Sequence, residues 1–185
     1  QLAGHTYKPP VWLTRKPKKS SGVVCTILSD THFDEVVRPE EINFKNEYNR
    51  EIAVARLKTY FQKVILLTKE YITGINYEGC VLFLGGDIFS GDIHEELSET
   101  NEDTMLASVI FWTEQITAGI NLLAEHFNYV HVPCVVGNHG RRTRKPRHKL
   151  RVKDNFDWFL SKTLEQRFIG NNKVTFDVAA GADLM

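Results

Sequence analysis

Cysteine is scarce in this chain of 185 residues. Cys25, Cys80 and Cys134 stand far apart, so zinc-type ligand spacing is missing and no disulfide framework is expected. Each lies in an apolar run and reads as a small core residue of a strand, which suits a reducing compartment. Long apolar runs are missing as well. Stretches such as Val64 to Leu67 and Val81 to Leu84 fall far short of the roughly 20 residues that a membrane-spanning helix needs. The opening, Gln1 to Pro10, has neither the charged nor the apolar region of a secretory signal and no initiator Met, so a trimmed or partial chain is expected. Net charge is absent too. The 23 Lys and Arg residues balance 23 Asp and Glu, and overall charge selects no class of partner.

What is present is the composition of a soluble globular domain, 42% hydrophobic and 25% charged. Residues 1–22 read as an extended basic arm, because Pro9, Pro10 and Pro17 oppose regular helix and Arg15, Lys16, Lys18 and Lys19 cluster. The domain then occupies 23–185. Val23 to Ser29 is a β-branched apolar run that predicts a buried strand. Asn49 to Thr73 has helical periodicity, with Ile52, Ala55, Phe61, Val64, Ile65, Leu67 and Ile72 on a broad apolar side and Gly74 as its stop. Val81 to Leu84 predicts a second strand. Glu102 to Phe127 predicts a second helix, with Met105, Val109, Trp112, Ile116, Ile120 and Leu123 inward. Tyr129 to Val136 is a third strand, Lys153 to Phe168 a helix with Phe156, Phe159 and Leu160 apolar, and Val174 to Val178 a fourth strand. This alternation predicts an α/β fold with a largely parallel sheet. In open α/β sheets ligands bind beyond the carboxyl ends of the strands, so chemistry is expected where each strand stops.

The first strand stops at Asp30-Thr31-His32, the second at Gly86-Asp87, the third at Gly137-Asn138-His139. These are oxygen and nitrogen donors without a thiolate, a set that suits Mn²⁺, Mg²⁺, Fe²⁺ or Zn²⁺. Asp30 and His32 are two apart and point the same way along an extended segment. Asp87 has two carboxylate oxygens and can bridge two ions. Asn138 offers a neutral carbonyl oxygen. The preceding glycines permit a sharp turn and leave room for a phosphate. Singly, each pattern is an ordinary cap or turn. Their order, at three successive strand ends, is what points to a metal site.

D-x-H, G-D and G-N-H in this order resemble the calcineurin-like metallophosphoesterase superfamily, over roughly Val23 to His139. The resemblance implies a layered β-sheet sandwich flanked by helices, of which this chain carries the N-terminal part and is incomplete at the C-terminus. It implies a phosphoester hydrolase with two divalent ions, Mn²⁺ foremost, and a metal-bound hydroxide. Asp30 and His32 fall on ligands of one ion, Asp87 on the bridging ligand and Asn138 on a ligand of the second. His139 falls on the residue that contacts the phosphate and assists the leaving group. The segments Gly85 to Leu97 and Pro133 to Arg141 resemble phage and prophage phosphoesterases described as DNA-repair-exonuclease-like. That implies a phosphodiesterase or nuclease, cytoplasmic in a bacterial host. Ser/Thr protein phosphatases carry acids where this chain has Ser90 and Gly140, which argues against that branch. The family also draws ligands from later histidines, one alone and two in G-H-x-H, and no histidine follows His148. The two-ion site is expected to be incomplete here, its remaining ligands coming from a C-terminal remainder or a second chain.

Arg141 to Lys153 holds eight Lys and Arg residues directly after His139. Arg141, Arg142, Arg144 and Lys145 are the candidates for substrate binding, with DNA or RNA as the natural polyanion; the competing interpretation is a solvated loop. Few aromatics interleave the run, so no base-stacking platform is expected within it. Asp92 and His94 read as supports of the metal ligands or as a solvated loop. His131 reads as a packed strand residue, His126 as a favourable charge at a helix end, and Trp112, Trp158 and Phe159 as core. Two other functions compete with the nuclease: a catalytically incomplete nucleic-acid-binding or assembly module, and a small-molecule phosphatase.

Overall fold

The apolar runs and amphipathic stretches form four strands and the helices between them. The computed structural model describes residues 8–16, 18–93, 95–148 and 150–180; His5, His94, Pro17, Lys149 and the closing residues 181–185 lie outside these. Strands β1 (Ser21–Leu28), β2 (Asn76–Leu84), β3 (Tyr129–Cys134) and β4 (Val174–Val178) pair in that spatial order, every neighbour parallel. Helix α1 (Val11–Thr14) is one turn, α2 spans Arg50–Leu66, α3 Glu95–Thr100, α4 Met105–His126 and α5 Phe156–Arg167. Among the described residues no helix is long and apolar enough to cross a membrane.

Side-chain caps start the long helices. The Asn49 carboxamide accepts from the Ile52 N–H at 2.9 Å, the Thr104 hydroxyl from Ala107 N–H at 3.5 Å, and the Asn155 carboxamide from Asp157 N–H at 2.8 Å. A parallel sheet whose strands follow in sequence, joined by right-handed crossovers, gathers its helices on one face. Accordingly α2 packs on α4 and α4 on α5. Leu28, Leu82, Leu84, Val130, Val132 and Val174 meet them in one core. The inward face of α4 is the expected one. Along α2 the expected Phe61 is buried and Val64 and Ile65 pack against the core, joined by Ala53 and Leu57, while Ala55 faces solvent, as do Leu67 and Ile72 beyond the end of the helix. In α5, Leu160 and Leu164 fill the core and Phe159 is exposed. The broad apolar sides of α2 and α5 exceed what their neighbours cover, so periodicity alone could not choose the buried stripe.

The other sheet face is open at its β1 edge. Val23 is 37% and Ile27 57% exposed, and Cys25 beside them is exposed rather than core. Parallel sheets are ordinarily covered on both faces, and the expected second layer of a sandwich has no counterpart among the described residues. Part of the basic arm does lie here. Its stretch Val11–Thr14 is helical rather than extended, since Pro10 sits at the N-cap where its missing N–H costs nothing. Trp12, 8% exposed, stacks on Tyr129 at 5.6 Å between ring centres. Ser21 and Gly22, counted with the arm by composition, belong to β1.

Burial pushes the Cys80 and Cys134 thiols up to about 12, whereas Cys25 is exposed. In the native chain at pH 8 an excess of thiol reagent is expected to modify Cys25 promptly and the other two only in denaturant. Prompt modification of Cys80 or Cys134 without denaturant would contradict this placement.

Candidate metal centre

Beyond β1 and β2 the chain continues as two parallel loops zipped by their backbones. Asp30 N–H donates to Gly86 O at 3.1 Å, His32 N–H to Asp87 O at 3.2 Å and Phe33 N–H to Ile88 O at 2.8 Å. The Thr31 hydroxyl donates to Ile88 O at 2.8 Å and the Tyr48 hydroxyl to Thr31 O at 2.9 Å. Within this zipper Asp30 (φ 52°), His32 (φ 44°) and Asp87 (φ 48°) adopt left-handed backbone. Such strain in residues with a Cβ persists only where surroundings impose it, and it concentrates at functional sites.

The loop after β3 locks onto the loop after β2. Gly86 (φ 86°) faces the Gly137 backbone so closely that a Cβ on it would lie 2.3 Å from Gly137 N. A Cβ on Gly137 would lie 2.1 Å from the Asp87 carboxylate. Both positions therefore require glycine. The Asp87 carboxylate accepts from His139 N–H at 2.6 Å. His139 Nδ1 lies 2.8 Å from Ser90 O, and the His32 and His139 rings meet edge to face at 4.5 Å.

The side chain that organises this rim is Asp157, in the first turn of α5. Its carboxylate, 1% exposed, accepts from Asp87 N–H at 3.0 Å, Ile88 N–H at 3.2 Å and Gly137 N–H at 2.9 Å. One acid thus ties the G-D turn to the G-N-H turn. Asn155 reinforces the tie by donating to Gly137 O at 2.9 Å. Burial pushes the Asp157 pKa up to about 6, opposed by the amide of Gly137 and raised further by the nearby Asp87 charge. A second anchor lies behind the first loop. Asp34, buried, accepts from Arg50 Nε at 2.8 Å, and Arg50 also reaches Asp103 at 3.5 Å and lies over the Phe111 ring at 4.7 Å.

Asp30, His32, Asp87 and Asn138 therefore share one rim, but not as a closed cage. The Asp30 carboxylate is hydrogen-bonded by the Ser29 hydroxyl. Asn138 is exposed. Among the described residues no three His, Cys, Asp or Glu side chains converge as a ready metal site. The donors fit a hard or borderline divalent ion by type and by their seat at the strand ends, and they are too few to enclose two ions. Asp92 is exposed. His131 is buried and hydrogen-bonded with Thr175 at 3.0 Å, as a packed strand residue should be. The charge expected on His126 is disfavoured, because burial and then Lys69 push its pKa down.

The basic loop divides by role. Arg141 is committed to the loop itself, donating to Asn138 O (2.9 Å), Thr143 O (2.9 Å) and Arg144 O (3.1 Å). Arg142 pairs with Asp154 at 3.2 Å. Arg144 and Lys145 are exposed. A cleft of about 240 Å³ opens beside Asn138, and the cations lining it include Arg147 and Arg151, outside the expected four.

No family model, curated protein or solved structure matches this chain.

Sequence patterns pass over Asp157 and Asp34. Asn155-Phe156-Asp157 reads as an ordinary helix start, a cap with an acid in the first turn. Only the fold brings that acid to loops 20 and 70 residues away.

Removing Asp157 leaves three amides without their acceptor, so Asp157→Ala is expected to lower stability by about 3–5 kcal/mol in urea unfolding. The pH dependence has a definite sign. The folded pKa is raised from 3.8 to about 6, so the folded state holds the proton more tightly. Stability from this group is therefore greatest below the unfolded value and falls as pH rises through that window. Asp157→Asn does not titrate and should close part of its deficit relative to wild type between pH 4 and pH 6.5. A deficit that stays constant or widens with pH would contradict the burial argument.

Proposed function

We propose that this chain carries the metal-binding rim of a phosphoester hydrolase of the calcineurin-like metallophosphoesterase type, acting on phosphodiesters of DNA or RNA. The observation that carries the reading is the lacing of three successive strand ends into one rim: Asp30 and His32 zipped to the Asp87 loop, and Asp87 locked to the Asn138–His139 loop. Asp30, His32 and Asp87 would hold one divalent ion, Mn²⁺ foremost with Mg²⁺, Fe²⁺ or Zn²⁺ as alternatives. Asp87 and Asn138 would begin a second site. When bound, such ions supply Lewis-acid polarisation of the phosphoryl group and lower the pKa of water.

The protein's own part is positioning and proton transfer. Asp87 is held by the His139 amide, and its loop by Asp157, so its carboxylate presents a fixed oxygen to the rim. His139 sits with Nδ1 against a carbonyl, which can only accept. Nδ1 therefore carries a proton, and Nε2 is the nitrogen left for the substrate: the ring would take a proton there and, as imidazolium, give it to the departing ester oxygen. The cationic cleft beside Asn138 holds neighbouring phosphates of the substrate. The open face of the sheet is the seat of the second layer of a sandwich. That layer, from a longer chain or a partner chain, would bring the further histidine ligands that the rim lacks.

A second reading has support in the same structure. The rim closes no cage, and the cleft presents Arg147 and Arg151 without ion-pair partners among the described residues. Those features suit a nucleic-acid-binding or assembly module. Metal dependence separates the two, since a module of that kind binds without it.

With Mn²⁺ and bis-p-nitrophenyl phosphate, residues 1–185 alone should hydrolyse slowly, and the protein supplied with the missing histidines should be far faster. Asp87→Asn is expected to reduce that turnover at least about 100-fold, the scale of loss on disturbing a metal's ligand set. Unchanged turnover would remove Asp87 from its role. Binding to single- and double-stranded DNA should weaken steeply with salt, with Arg147→Ala and Arg151→Ala each lowering the salt slope. Salt-independent binding would remove the polyanion assignment.

A further inference from the structure

A second hollow, of about 280 Å³, adjoins Asp30 and shares no lining residue with the arginine cleft. Its walls are Phe33, Leu57, Tyr48 and Tyr60, with Arg56 and Asp30 contributing the charges. Three separate segments build it: the end of the first strand, the loop that returns at Tyr48, and the inner side of α2. Both tyrosines are held by their hydroxyls. Tyr48 donates to Thr31 O at 2.9 Å, and the Tyr60 hydroxyl lies 2.7 Å from the Thr26 hydroxyl. Their rings are thereby fixed before any ligand arrives, which removes the ordering cost of binding. The Arg56 guanidinium lies 5.4 Å from the centre of the Tyr48 ring, and it has no carboxylate partner among the described residues.

The chemistry of these walls selects its occupant. An alkyl chain would fill the apolar floor but would gain nothing from the guanidinium. A bare sugar can lay its C–H face on a tyrosine but offers Arg56 no ring acceptor. A planar heterocycle stacks on Tyr48 or Tyr60 and offers ring acceptors to Arg56. The volume is at the lower end for small-molecule pockets, enough for one ring system. We infer that this hollow seats a nucleobase of the substrate. The position of its phosphate, next to Asp30, rests on the phosphoesterase reading; the seat for the base does not. With the arginine cleft on the Asn138 side of the rim, the arrangement suits a nucleotide unit whose base lies by Asp30 and whose neighbouring phosphates lie by Arg147 and Arg151. The basic loop itself carries no stacking platform, and the hollow supplies one from elsewhere in the chain.

The test is chemical-shift mapping of the ¹⁵N-labelled 185-residue chain without metal. Adenosine is expected to shift the amides of Tyr48, Ala53, Arg56 and Tyr60 and to bind about tenfold more tightly than ribose. Arg56→Ala and Tyr48→Leu should each remove most of that preference while leaving the remaining spectrum folded. Adenosine that leaves these amides unmoved, or shifts them no more than ribose does, overturns the inference. A single-stranded tetranucleotide distinguishes the sources of the base. If nucleic acid is the ligand, it shifts Arg147 and Arg151 in addition; if a mononucleotide is, adenosine monophosphate produces the full set. Adenosine binding, together with no metal-dependent hydrolysis even when the missing histidines are supplied, would uphold the base seat and overturn the phosphoesterase reading alone.

Discussion

The carboxylate of Asp157 is the constraint on which the rim depends. Loops at the ends of neighbouring strands would ordinarily move apart, since each is irregular and carries polar backbone that water could satisfy. Here one buried acid accepts amides from both. It thereby fixes the separation of the G-D and G-N-H turns. The two glycines make the contact sterically possible, and the His139 amide closes it by binding the Asp87 carboxylate. The left-handed backbone at Asp30, His32 and Asp87 is tolerated because this lacing leaves no easier conformation. Preorganised donors of this kind are what a charged ligand requires, because no reorganisation remains to be done when it arrives.

The topology explains both what the molecule presents and what it leaves bare. Strands taken in sequence, all parallel, deliver their carboxyl ends to one edge and their helices to one face. The edge collects Asp30, His32, Asp87, Asn138 and His139. The opposite face keeps Val23, Cys25 and Ile27 of β1 exposed, and Trp12 stacks on Tyr129 at its amino end. The exposed β1 edge of that face and a rim whose donors close no cage among the described residues lie on the same sheet.

Much of this was legible in the residues, and the reasons differ by element. The β-branched runs and the capped periodic stretches yield strands and helices because local propensity and tertiary packing agree there. The strand-end motifs were legible as residue types at fixed positions, and the structure laces the loops that carry them together. Asp157 and Asp34 were not, since an acid that reaches across the fold looks in sequence like a helix cap or a loop residue. The base seat was hidden for the same reason: Phe33, Tyr48 and Tyr60 come from three segments. Arg141 misleads in the opposite direction. It belongs to a run that reads as a free cationic surface, yet its guanidinium is spent on three carbonyls of its own loop.

The central claim is that Asp30, His32 and Asp87 hold a divalent ion at this rim. Electron paramagnetic resonance of free Mn²⁺ titrated with residues 1–185 measures that directly. The account predicts about one ion bound per chain, with affinity falling at least about tenfold in Asp87→Asn. Mn²⁺ that stays free in the presence of folded protein, or that binds the variant as well as wild type, would contradict it.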